Sequence, residues 1–67
     1  MTVAKVTEII ASSNKSFKDA IETGIERACQ TLKNVKGAWI KEQKIVVNDG
    51  KIVEYRVDMQ VTFVLKD

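Results

Sequence analysis

Between Lys51 and Leu65 the side chains alternate without a break. Val53, Tyr55, Val57, Met59, Val61, Phe63 and Leu65 fall on one side, and Glu54, Arg56, Asp58, Gln60 and Thr62 on the other. A period of two sustained over this length is a strand with one buried and one wet face. A strand so long and clean is expected at the centre of a sheet. Asn48-Asp49-Gly50 lies just before it, and Ala38 to Val47 is a second run of the same period. Asp-Gly between two such runs is the strongest short-range hairpin signal, because both turn positions need positive φ.

Val3 to Ile10 is rich in β-branched residues and reads as a first strand, broken by Ala11-Ser12-Ser13-Asn14. Ser13 is the expected helix N-cap. From Lys15 to about Asn34 the period becomes helical: Phe17, Ala20, Ile21, Gly24, Ile25, Ala28 and Leu32 form one apolar stripe. Lys18, Glu22, Glu26, Gln30 and Lys33 lie mainly on the opposite side, with Lys18–Glu22 spaced as a surface pair. Gly24 costs about 1 kcal/mol of helix propensity against alanine, which a close approach of helix to sheet explains. The fold class is therefore α+β: a β-α-β-β chain with a three-stranded antiparallel sheet packed on one helix. There is no proline, repeat or low-complexity tract, so residues 1–67 are expected to form one domain.

Such a fold is short of burial. A helix of 20 residues covers about 30 Å by 10 Å and cannot shield three long strands, and both outer strands keep unpaired edges. In a 67-residue chain the gain from apolar burial does little more than balance the entropy of ordering. Cys29 is the only cysteine and histidine is absent, so neither disulfides nor a zinc finger can make up the difference. Self-association is the remaining remedy, and a homo-oligomer is expected.

Composition removes several functions. Without histidine, neither the usual general base nor a Ser or Cys triad in its usual form is available. No apolar stretch is long enough to span a membrane or serve as a secretion signal. A lone cysteine agrees with a reducing, cytoplasmic setting. Eleven bases against nine acids, spread from Lys5 to Lys66, argue against a nucleic-acid partner. Cys29 lies beside the apolar stripe and is expected as a small buried hydrophobe.

With Asp49-Gly50 as a two-residue turn, opposed positions of the hairpin sum to 99. Gln43 then faces Arg56, Lys41 faces Asp58 and Trp39 faces Gln60, all turned away from the helix. This register leaves Glu42 and Lys44 on the helix side. Either the strands run past the helix there or a bulge shifts the parity. A tryptophan among amides and charges is an aromatic platform with donors at its edge, suited to a planar ligand. The same residue also suits an oligomer interface or a core, and the spacing leaves these readings open.

With this order of elements, the chain resembles the dodecins over nearly its whole length. Lys5-Val6-Thr7-Glu8-Ile9-Ile10 is similar to their opening strand. Ser16-Phe17 through Ile25-Glu26-Arg27-Ala28 is similar to their helix, and Thr31-Leu32-Lys33-Asn34-Val35 to its exit. Glu42-Gln43, Asp49-Gly50-Lys51 and Tyr55-Arg56-Val57 follow at matching spacing. The resemblance implies a hollow homododecamer that is not an enzyme and that stores or sequesters flavin (riboflavin or FMN), stacked between tryptophans of neighbouring subunits. Some dodecins also bind coenzyme A.

Two positions depart from the flavin-binding pattern. The tryptophan position is Gly37, and the glutamine that follows the tyrosine of the third strand is Arg56. Glycine offers no stacking surface, and arginine has donors but no acceptor. These changes resemble the calcium dodecin branch. The candidate binding residues are thus Gly37, Trp39, Gln43 and Arg56, with Trp39 as a displaced platform if flavin is bound. Calcium needs six to eight oxygens, so Glu8, Glu42, Glu54 and Asp58 are candidates only where symmetry gathers copies. A protein-interaction module is a further reading without a visible peptide groove.

Overall fold

A computed structural model describes residues 2–65; Met1, Lys66 and Asp67 lie outside the described residues. The chain runs β1 (Val3–Ser13), α1 (Phe17–Thr31), β2 (Val35–Asn48) and β3 (Lys51–Leu65). The sheet order is β1-β3-β2, both pairs antiparallel, so the alternating strand is central as its length predicts. The turn is the expected two-residue one: Asp49 and Gly50 take φ of 54° and 75°, and Asn48 pairs with Lys51.

β1 runs three residues beyond Ile10, to Ser13, and this moves the helix start. The N-cap is Ser16, not Ser13: Asp19 N–H donates to Ser16 Oγ at 2.9 Å. Ser13 organises the approach instead, accepting from Lys15 N–H at 2.9 Å and donating to Asp19 Oδ2 at 2.6 Å. Leu32 closes the helix, its N–H donating to Ala28 O at 2.8 Å. Asn34 then turns the chain with φ of 62°, a conformation its short amide tolerates. Val64 N–H donates to Asn34 O at 3.0 Å, tying the exit to the far end of β3.

The core is small. Ala20, Val57, Met59 and Val61 are fully buried and Ala28 nearly so, with Ile9, Ala11, Phe17, Ile21 and Ile25 packed around them. Phe17 meets Tyr55 edge to face, ring centroids 5.2 Å apart at 74°. Gly24 lies where the helix crosses β1 and β3. A Cβ there would come within 2.7 Å of Met59 Cε and 2.9 Å of Ala11 Cβ. The glycine is thus the point of closest approach, as its place in the stripe suggests.

The helix packs on β1 and β3 and leaves β2 uncovered. Its β2-side flank, Ile21, Ile25 and Cys29, opens on a groove, so Cys29 is exposed and not the buried hydrophobe expected. Val3, Ile10, Ile45, Val47, Ile52, Val53 and Leu65 are also exposed. The molecule measures 52 × 19 × 13 Å, with a radius of gyration of 13.8 Å against about 11 Å for a compact domain of this length. Its surface is 5170 Å², where a compact monomer of this mass exposes about 4,200 Å².

Two substitutions test this packing. Gly24→Ala gains helix propensity but forces the helix off Ala11, and unfolding in urea should show a net loss of about 1–2 kcal/mol. Ser16→Ala removes the cap and should cost about 1 kcal/mol in the same measurement.

Candidate functional site

The face away from the helix carries the chemistry. β3 sends Glu54, Arg56, Asp58, Gln60 and Thr62 to it, because Val57, Met59 and Val61 are the core. Registers on both sides then define rows across the sheet. Glu8 and Trp39 flank Gln60; Ile10 and Glu42 flank Asp58; Ser12 and Lys44 flank Arg56; Val6 and Gly37 flank Thr62.

This arrangement corrects the hairpin register. Trp39 does face Gln60, but Glu42 faces Asp58 where Lys41 was expected, and Lys44 faces Arg56 where Gln43 was expected. The cause is a pair of irregularities, between Val46 and Val47 and between Ile40 and Glu42. The first shifts the parity of β2 and the second restores it. Between them Gln43 pairs with Val57 and shares the helix side, while Glu42 and Lys44 turn outward. The two charges that the uniform register would have set against the helix are therefore on the wet face.

Of the four candidate binding residues, the structure brings Gly37, Trp39 and Arg56 to one face and separates Gln43 from them. Trp39 is 60% exposed, so it is no core residue of its own protomer. At Gly37 an added Cβ would meet nothing within 4 Å, and its φ lies outside the left-handed range. Neither sterics nor backbone conformation within the protomer calls for glycine there.

Charges on this face are banded. Asp58 and Glu42 oppose each other in one row, Arg56 and Lys44 in the next, and such like-charge pairs repel. Arg56 is braced by Glu54, Nη2 to Oε2 at 2.6 Å. Lys41, at the bulge, reaches across β3 to Glu8 with Nζ 3.6 Å from Oε2. Asp58 Oδ1 is buried without a hydrogen-bond partner among the described residues. Glu8, Glu42, Glu54 and Asp58 share the face, yet no group of three acidic, Cys or His side chains among the described residues is disposed to hold a metal ion. Lys44, Ser12 and Ile10 escaped the sequence reading. The awkward parity of Glu42 and Lys44 signalled the first; the β1 residues depend on a long-range register with no local signal.

Comparison with known proteins agrees with this geometry. The family model described as Dodecin matches residues 3–66. The chain is 29% identical over 66 residues to the calcium dodecin of Mycobacterium tuberculosis, covering 98% of this chain and 93% of that one. It superimposes on the dodecin of Streptomyces davaonensis with a TM-score of 0.92 and 36% identity, over 98% of this chain and 97% of that one. A crystal structure of the M. tuberculosis calcium dodecin, described as calcium-chelating with a novel calcium-binding site, aligns with a TM-score of 0.81 and 32% identity over 96% and 91% of the two chains. The chain belongs to the dodecin family.

Proposed function

We propose that this dodecin is a non-enzymatic small-molecule-binding and storage protein of the cytoplasm. Residues 1–67 form one domain, and twelve copies form a hollow shell in which the standard flavin contacts are lost or remodelled. The observation that carries the reading is the pair Gly37 and Arg56 at the two positions where the flavin-binding pattern has tryptophan and glutamine. Arg56 is committed to Glu54 at 2.6 Å and cannot present an amide's acceptor. Gly37 leaves open space where a ring would stack.

Assembly is supported by the excess surface. The protomer exposes roughly 1,000 Å² more than a compact monomer of its mass, the order of one partner's share of a standard interface. Its exposed apolar residues and the groove beside Cys29 are surfaces that copies of the chain would cover. The carboxylates Glu8, Glu42, Glu54 and Asp58 fit calcium, which the M. tuberculosis relative is described as chelating, only as a set shared between copies. The adjacent Lys44 and Arg56 suit the phosphates of a ligand such as coenzyme A. Among the described residues no helix is long and apolar enough to cross a membrane.

A second reading, riboflavin or FMN storage with Trp39 as the platform, is favoured by the 60% exposure of that ring. Native mass spectrometry should give twelve subunits and the mass of any retained molecule; a stable monomer at micromolar concentration overturns the shell. Titration with riboflavin and FMN, followed through Trp39 emission, should give weak or no quenching on the leading reading. Dissociation constants below about 1 μM would establish the second.

A further inference from the structure

The β2–β3 hairpin keeps the count of its two-residue turn at both ends. Val47 pairs with Ile52 next to the turn, and Ile40 with Met59 far from it, both on that count. Only residues 42–46 pair one step away from it, as Glu42–Asp58 through Val46–Glu54. The step is made by one unpaired residue on each strand, Lys41 on β2 and Val53 on β3. Bulges on opposite strands cancel: if Lys41 and Val53 enter the ladder, residues 42–46 move one place and nothing outside them moves.

The observed register is the one that charge opposes. It sets Glu42 against Asp58 and Lys44 against Arg56, and leaves Asp58 Oδ1 buried without a hydrogen-bond partner among the described residues. The flush register sets Lys41 against Asp58, as an opposite-charge pair, and the neutral Gln43 against Arg56. What holds the bulges is that Glu42 and Lys44 stay outward and Ile45 stays opposite Tyr55. Both restraints are weak. Gln43, on the helix side opposite Val57, is exposed, so a charge turned there keeps its water. Ile45 and Val46 would exchange faces, one apolar side chain for another. β2 is an edge strand, so residues 42–46 can re-pair without disturbing β1.

We infer that residues 42–46 are a two-register element whose register follows the ionic surroundings. Ions that screen or bridge the like-charge rows favour the bulged register, whereas low ionic strength favours the flush one with its Lys41–Asp58 pair. The switch exchanges Glu42 and Lys44 for Gln43 on the face that carries Trp39, and so changes the charge that face presents.

Disulfide trapping tests this, because opposed Cα atoms of antiparallel strands lie within disulfide reach. In the full chain carrying Cys29→Ser, the pair Lys44→Cys with Arg56→Cys closes only in the bulged register. Gln43→Cys with Arg56→Cys closes only in the flush one. Both should form in a glutathione redox buffer, scored on protein with native circular dichroism and subunit count. Raising sodium chloride from about 10 mM to about 500 mM should lower the 43–56 yield at least about threefold. Glu42→Lys, which gives the bulged register an opposite-charge pair with Asp58, should lower it similarly at low salt. Deleting Lys41 and Val53 together keeps the observed pairs without bulges, and should abolish 43–56 closure while sparing 44–56. Closure of 44–56 alone at every ionic strength overturns the switch. Closure of both pairs without response to salt or to Glu42→Lys overturns its control by charge.

Discussion

A fifteen-residue helix is about 22 Å long, whereas a fifteen-residue strand spans about 50 Å. Those are the lengths of α1 and β3 here, and the 52 Å long axis of the molecule is essentially the central strand. Everything else follows from the mismatch. One helix covers the middle of β1 and β3, so the fully buried side chains cluster at Val57, Met59 and Val61 and nowhere else along the strand. The hairpin end, with Ile45, Val47, Ile52 and Val53, extends beyond the helix and stays exposed. These apolar residues lie outside the protomer's own core. The charges on the opposite face are banded, Glu42 with Asp58 in the row beside Trp39 and Lys44 with Arg56 in the next.

Much of this was legible from residue order because the signals were local. Alternation along 51–65, Asp49-Gly50 and the stripe through Gly24 each depend on residues within a turn or two of one another, and strand order followed from the length of β3. Helix boundaries were less so. Ser13, Ser16 and Asp19 form one hydrogen-bonded unit in which either serine has the chemistry of a cap, and the choice is made by how far β1 pairs with β3. That pairing matches Ser13 with Tyr55, more than forty residues away in sequence.

The site was read less well than the fold for the same reason. Register in a hairpin is counted from the turn, and one irregularity inverts every side chain beyond it. The bulge at Val46–Val47 sends Gln43 inward and Lys44 outward, and the one at Ile40–Glu42 returns the count before Trp39. Trp39 opposite Gln60 was therefore right although Gln43 opposite Arg56 was not. The two irregularities together leave Glu42 and Lys44 on the outward face, where their charges need not be desolvated.

The glycines inside α1 and β2 differ in what the protomer asks of them. Gly24 is held by its surroundings: Met59 and Ala11 leave no room for a Cβ, and the helix cannot approach the sheet otherwise. Gly37 is held by nothing in the protomer, since a side chain there would project into open space and the backbone would accept one. Strand positions with that freedom favour β-branched and aromatic residues, which pack on their cross-strand neighbours. Keeping glycine beside an exposed tryptophan forgoes that packing. Gly37 is therefore a strand position whose residue type the packing of the protomer does not explain.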